Sequence, residues 1–307
     1  MSTVPAAMRR VVHRWRSCAH VVRALPGGSA NLSAHVRLGA EDFVFRLYLQ
    51  SDLPRFRIEC NTLARLSAIG APTPTVVEAG ESAPGRGTPY LVYRMLPGMT
   101  LTEAATRLRG TELASAIGRV AEAATAASEA LRVDAFGYLH VSTPSPMQDD
   151  QTHHDVGAYS HTIAEHGLLQ RDLLLRAQLH AEGHLALTKT NSPRLVHPDL
   201  KPSNVLVGYD AVYLLDWELP VGGHPVLSYG GLLAEGVIVD DLMPGLRTHL
   251  YRLPDRTRVA AITAGILRVL ETLSYLPSNP PYQQGRQVRP DHHQLAHAAA
   301  TLLDWLP

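Results

Sequence analysis

The order of hydrophobic patterns limits what this chain of 307 residues folds into more sharply than any composition figure. From Leu25 to Val92 short β-rich runs and turn residues surround one helix, whereas beyond Gly98 the apolar residues recur at helical spacing. Pro26-Gly27-Gly28-Ser29 reads as a turn, and His35 to Leu38 and Phe43 to Leu47 as a hairpin joined by Gly39-Ala40-Glu41-Asp42. Asp52 as N-cap and Pro54 in the first turn open a helix whose face carries Phe56, Cys60, Leu63 and Ser67, and Gly70 stops it. Thr75 to Glu78 and Tyr90 to Tyr93 add two strands before Leu96-Pro97-Gly98.

Past Gly98, Leu113, Ile117, Val120, Ala124, Ala127 and Leu131 mark a long alanine-rich helix. A polar stretch, residues 140–157, reads as a loop, followed by helices from Tyr159 to about His184. Arg194 to Val207 and Ala211 to Leu215 hold two short apolar runs. Ile262, Ile266, Val269, Leu273 and Leu276 mark a helix ended by Pro277, and Asp291 caps a last one running to Trp305. The fold class is therefore α+β, and a chain of this length has room for two domains, here 1–97 and 98–307.

Composition removes several functions. The 28 Lys+Arg balance 28 Asp+Glu, which leaves no electrostatic footprint for nucleic acid or an anionic membrane. Two cysteines, Cys18 and Cys60, make no disulfide framework, and no window is apolar enough to span a bilayer, so a cytoplasmic location is expected. The arginine-rich opening has the composition of a transit peptide, but Val11, Val12, Trp15 and Ala19 make it an amphipathic helix. Only Lys189 and Lys201 are lysines, so a function needing an ammonium has two places to put it.

The informative segment is His197-Pro198-Asp199-Leu200-Lys201-Pro202-Ser203-Asn204-Val205-Leu206-Val207, followed by Tyr213-Leu214-Leu215-Asp216-Trp217-Glu218. Phosphoryl transfer needs a carboxylate to orient the attacking hydroxyl, and an amide oxygen and a second carboxylate to hold Mg²⁺. Asp199, Asn204 and Asp216 are those groups, with a short hairpin to fold Asp216 back beside Asn204. His293 and His297, spaced i,i+4, have no obvious third zinc ligand and read as surface residues, as do His153 and His154. The sequence holds no G-x-S-x-G elbow.

His-x-Asp-x-x-x-x-Asn and Asp-Trp-Glu make the chain resemble the protein-kinase-like superfamily, specifically its aminoglycoside phosphotransferase branch with the choline-kinase-type small-molecule kinases. The resemblance runs from about Leu25 to Gly236. It implies a bilobal fold: a small antiparallel N-lobe sheet with one main helix, which binds the nucleotide, and a larger, mainly helical C-lobe with the catalytic loop and acceptor-binding helices. It makes Asp199 the catalytic base, Asn204 and Asp216 the Mg²⁺ ligands, His197 the brace of the loop, and Glu59 the acid that steadies the phosphate-anchoring cation. That cation is a lysine in the family; here the matching residue is Arg46, whose planar fork suits phosphate and carboxylate oxygens. Lys201 is placed to neutralise charge on the transferring phosphoryl group. Gly27, Gly28, Ser29 and Asn31 form the phosphate-approaching turn, and the Arg94 carbonyl and Leu96 amide meet the adenine edge.

Two departures stand out. The family's aspartate about twelve residues after Asp-Trp-Glu is absent from Gly223-His224-Pro225-Val226-Leu227-Ser228, leaving Ser228 a weaker tether, and Pro198 stiffens the loop. For the acceptor, residues 134–190 hold seven acids (Asp134, Asp149, Asp150, Asp155, Glu165, Asp172, Glu182) against three bases, which suits a cationic hydroxyl compound. The expected function is transfer of the γ-phosphate of ATP, or GTP, to a hydroxyl of a small natural product such as an aminoglycoside-like antibiotic, giving resistance or self-protection. The alternatives are a Ser/Thr kinase for a precursor peptide with a partner lyase, and a silent kinase-like binding module.

Overall fold

The computed structural model describes residues 5–25, 31–48, 53–83, 87–134, 137–138, 156–188, 192–278 and 290–306. The chain divides into two compact units, the first ending at Pro97 and the second opening at Gly98. It has the bilobal kinase-like α+β fold. Gly27, Gly28, Ser29, most of the 140–157 stretch, His153, His154 and Lys189 lie outside the described residues.

In the first unit α1 (Ala6–Trp15) precedes β1 (His20–Ala24), β2 (Asn31–Leu38) and β3 (Glu41–Tyr48); α2 (Leu53–Ala68) leads to β4 (Val76–Gly80) and β5 (Tyr90–Arg94). The antiparallel sheet runs β1-β2-β3-β5-β4. β3 is central, and its residues Phe43 to Tyr48 are all buried because each face of the sheet is covered. Period-2 alternation sends Phe43, Phe45 and Leu47 to the face that packs with Met8, Val11, Val12 and Trp15 of α1. There Phe45 stacks on Tyr90 at 5.4 Å and takes Trp15 edge-on at 5.5 Å. Arg46 and Tyr48 point the other way, toward α2, where Tyr48 meets Phe56 at 5.3 Å.

Two sequence expectations change here. The buried face of α2 runs through Phe56, Glu59, Leu63 and Leu66, not through Cys60 and Ser67. A glutamate paired across to the sheet is a core-facing residue, and a stripe read from apolar residues alone is rotated away from it. Strand β1 was not anticipated, because five residues with an irregular register against β2 give no clean alternation. Gly70, at φ +70°, ends α2 in the left-handed conformation its position requires, with the Ala71 amide bonded back to the Leu66 carbonyl (3.0 Å).

The second unit opens with β6 (Met99–Thr100), α3 (Leu101–Arg107), α4 (Gly110–Ala130) and β7 (Gly137–Tyr138). α5 (Val156–Glu165), α6 (Arg171–Thr188), β8 (Arg194–Val196), β9 (Val205–Val207), β10 (Val212–Leu214) and β11 (Val221–Gly223) follow, then α7 (Tyr229–Gly236), α8 (Met243–Arg252), α9 (Asp255–Tyr275) and α10 (His292–Asp304). The α4 stripe Leu113, Ile117, Val120, Ala124 and Ala127 is buried as its spacing predicts, and α4 packs on α8. α9 lies among α5, α6, α7 and α10, and every residue from Ala261 to Leu267 is buried. Asp291 caps α10 through the Gln294 amide at 2.8 Å. Two three-stranded sheets, β10-β9-β6 and β7-β11-β8, hold the two ends of the 197–204 loop.

The aromatic cluster yields a test. Phe45→Ala removes a fully buried ring from between two others and is expected to cost about 3–5 kcal/mol in denaturant unfolding of the intact chain. A loss below about 1 kcal/mol contradicts this packing.

Candidate active site

The phosphate-anchor candidates of the first unit form a buried group. Arg46 on β3 donates from Nη1 to Glu59 Oε1 on α2 at 3.2 Å, and Tyr48, two residues along the same face, donates its hydroxyl to Glu59 Oε2. The Arg46 guanidinium also lies over the Tyr48 ring, 5.3 Å from its centroid. Side-chain exposures of 9% and 2% for Arg46 and Glu59 make this a desolvated ion pair, which needs its further hydrogen bond to be tolerated. Tyr48 was missed in the sequence; its place two residues beyond Arg46 on a strand was the available signal. The Arg94 side chain is committed elsewhere: it pairs with Glu41 and covers Phe43, so only its backbone remains for the role expected of it. Leu96, half-buried, follows Met95, whose amide bonds the Asp42 carbonyl at 2.9 Å. Asn31 is buried at the start of β2.

In the second unit β8 delivers His197 and a tight loop carries Asp199, Lys201 and Asn204. The loop is closed by the Lys201 amide on the Asp199 carbonyl and the Asn204 amide on the Lys201 carbonyl, both 2.8 Å. Pro202 opens the single helical turn that sets Asn204. The Asn204 side-chain NH₂ donates to the Asp199 carbonyl (2.9 Å) and to Asp199 Oδ2 (3.2 Å), which turns its amide oxygen away from the loop. Beyond Asn204 the β9–β10 hairpin pairs Val205 with Leu214, and the Leu215 amide donates to the Asn204 carbonyl at 2.8 Å. That bond brings the backbone just before Asp216 against Asn204, and the Asp216 charge acts on His197 and Lys201. Asp216 has φ +68°, the one non-glycine residue in the left-handed region among those described.

His197 ties these two segments together. Its Nε2 donates to the Leu215 carbonyl at 2.7 Å, and its ring packs 4.4 Å from that of the buried Trp217, whose Nε1 bonds the Leu214 carbonyl. Burial lowers the His197 pKa, so the ring is neutral with its proton on Nε2.

Asp199 Oδ2 is also 3.2 Å from Lys201 Nζ, and Asp199 Oδ1 receives Nη2 of Arg268 from α9 at 2.8 Å. Burial opposes ionisation of Asp199, but the charges of Lys201 and Arg268 outweigh it and hold the carboxyl below its usual range. Burial likewise opposes the charge on Lys201, and Asp199, Glu235 and Asp216 overcome it, so Lys201 is raised and stays cationic. Arg268 is braced by Glu271, 1% exposed, through Nη1 to Oε2 at 2.8 Å. A small pocket opens beside this ion pair, walled by Pro198, Leu227, Ala264 and Leu267.

Ser228 does not tether the loop. Its buried hydroxyl has no hydrogen-bond partner among the described residues. Instead α7 backs directly onto the loop at Gly231, where a Cβ would fall 2.9 Å from the Leu200 nitrogen and 3.2 Å from the Pro198 oxygen. His293 and His297 are exposed on α10 and join no metal-binding group among the described residues.

A phosphotransferase enzyme family model matches residues 21–262, well over half of the chain. The chain belongs to that family. Among solved structures, a thermostable mutant of the aminoglycoside phosphotransferase APH(4)-Ia, in ternary complex with ADP and hygromycin B, is 15% identical over 98% of this chain and 99% of its own, with a TM-score of 0.68. A GDP complex of an aminoglycoside 2'-phosphotransferase-IIIa mutant is 15% identical over 97% and 95%, with a TM-score of 0.58. A fructosamine-3-kinase described as putative, from Thermobifida fusca, is 17% identical over 99% and 98%, with a TM-score of 0.55. At these identities the likeness is one of fold. No curated protein sequence matches the chain.

The close approach at Gly231 predicts that Gly231→Ala pushes the Pro198–Leu200 backbone outward. Because misplacement of about 1 Å costs up to roughly 10²-fold in rate, nucleotide turnover is expected to fall at least about tenfold while the chain still folds. Unchanged turnover in a steady-state assay contradicts the contact.

Proposed function

We propose that this phosphotransferase moves the γ-phosphate of ATP, or of GTP, to a hydroxyl of a small natural product. The observation that carries the reading is the joint placement of Asp199, Asn204 and Asp216 by one loop and one hairpin, since a binding module has no need to keep all three in register. In this reading Arg46, oriented by Glu59 and Tyr48, grips the nucleotide phosphates. The 27–29 turn approaches them, and the Arg94 carbonyl and Leu96 amide meet the base. Asp199 accepts the hydrogen bond of the incoming hydroxyl and aims its oxygen. Lys201 remains cationic beside it and offsets negative charge as the phosphoryl group transfers. His197 keeps the loop and the Asp216 segment in fixed relation.

The donor set suits Mg²⁺: Asn204 has its NH₂ committed to Asp199, so the amide presents its oxygen, and Asp216 adds a carboxylate. When bound, the ion neutralises phosphate charge.

The small acceptor is supported by the family and by the hygromycin B in a structure of the same fold. Of the acids that suggested a cationic acceptor, Glu165, Asp172 and Glu182 are exposed on α5 and α6, and Asp149, Asp150 and Asp155 lie outside the described residues. No observation favours a peptide acceptor and partner lyase.

The test is to incubate the protein with labelled nucleotide, Mg²⁺ and pools of hydroxylated natural products, then weigh the products. One added phosphate on an acceptor is expected, with Asp199→Asn lowering the rate by about 10²–10⁴-fold. Arg46→Ala is expected to raise the KM for nucleotide by about tenfold or more, as befits a charge-assisted contact. Nucleotide that neither binds nor turns over in the native chain contradicts the reading.

A further inference from the structure

We propose that the outer face of α1, together with Arg23 of β1, is a docking surface for an acidic segment of a protein partner.

The neutral balance of the whole chain is the sum of two unequal parts. Residues 1–97 carry 12 Lys+Arg against 6 Asp+Glu, and residues 98–307 carry 16 against 22. The excess of cations gathers at the start, where six arginines and no acid precede Glu41. Two of the six have partners: Arg16 pairs with Glu78 and Arg37 with Asp42, each at 2.8 Å. Arg9, Arg10, Arg14 and Arg23 are exposed and form no ion pair with any described residue.

Helix period collects three of these four on one surface. Met8, Val11, Val12 and Trp15 are buried against the sheet, so Arg9, Arg10, His13 and Arg14 make the opposite face of α1. Arg10 and Arg14 stand at i,i+4, a like-charge spacing that works against the helix, and the first turn of α1 holds no acid to offset its dipole. Local stability therefore does not account for these arginines, whereas a carboxylate partner does. Nor do they serve the nucleotide phosphates. Arg46 and Tyr48 point to the sheet face that carries α2, and α1 covers the other face.

The surface also selects among anions. A membrane surface needs apolar side chains to insert, and those of α1 are consumed in the core. A single nucleic acid strand needs aromatic platforms; the exposed large hydrophobic residues described in 1–97 are Val22, Ile69 and Val77, none of them aromatic. A duplex runs far beyond a helix of 10 residues, about 15 Å long, and meets a chain whose other residues carry the opposite excess. An extended run of about five acidic residues spans that same length, and each guanidinium fork takes a carboxylate.

The experiment follows the anisotropy of labelled octaglutamate as the full chain is added, with octaglutamine, a short duplex DNA and phosphatidylglycerol vesicles as the other probes. Saturable binding of octaglutamate and none of octaglutamine is expected, weakened at least about tenfold between about 0.05 M and about 0.5 M salt. Arg10→Gln with Arg14→Gln lowers that affinity about tenfold or more, while Arg107→Gln with Arg256→Gln, which removes the same charge from exposed positions elsewhere, leaves it within about twofold. The Arg10/Arg14 variant keeps the native midpoint of thermal unfolding, and a non-hydrolysable ATP analogue does not displace octaglutamate. The proposal is overturned if octaglutamate does not bind, or if the Arg107/Arg256 control weakens binding as much, which makes bulk charge the cause. Tighter binding of the duplex or the vesicles through Arg10 and Arg14 overturns the choice of partner. A lowered unfolding midpoint in the Arg10/Arg14 variant makes the two arginines structural, and displacement by the nucleotide analogue places the peptide in the nucleotide site; either result overturns the proposal.

Discussion

The Asp199 carboxylate is held in place by charge from two directions, and the second unit is organised around that hold. Lys201 and Asn204 reach Oδ2 from within the same tight turn, while Arg268 reaches Oδ1 from a helix 69 residues further along the chain. Burial alone would push this carboxylate toward neutrality; with these partners it stays ionised. The local turn sets distances within the loop, and the long-range pair fixes the loop against the helical core. Glu271, buried behind Arg268, completes a chain of alternating charges whose other members are only partly exposed.

Packing around this chain compensates for a missing tether. Where the resemblance leads one to expect an aspartate between the large-lobe helix and the loop, the protein has Ser228 with no partner for its hydroxyl among the described residues. Close backbone approach at Gly231 and the His197 bond to the Leu215 carbonyl do the holding instead. The first unit shows the same economy. Arg46 is the residue at the position where the resemblance leads one to expect a lysine, and Tyr48 supplies Glu59 with the second hydrogen bond that a buried carboxylate needs.

Much of this was legible in the sequence for identifiable reasons. The α4 stripe, the Asp291 cap and the hairpin after Asn204 rest on local spacing and turn chemistry, which tertiary context did not override. Arg268 was not legible because its partner is remote, and a helix stripe read from Ile262, Ile266, Val269 and Leu273 treats the residues between as solvent-facing. The signal was present nonetheless: an arginine and a glutamate at i,i+3 inside a run where Ala261 to Leu273 is almost wholly buried are paired or functional. The α2 face was misjudged for a related reason, since Glu59 belongs to the core only once Arg46 is known to face it.

The account's central claim is that one loop and one hairpin bring Asn204 and Asp216 together as the metal-binding pair beside the base. The most direct measurement is a crystal structure of the protein with a non-hydrolysable ATP analogue and Mn²⁺, located by its anomalous signal. The account predicts a peak bonded to the Asn204 amide oxygen and an Asp216 carboxylate oxygen, with phosphate oxygens completing its shell. A nucleotide-bound structure whose metal lies away from both residues contradicts it.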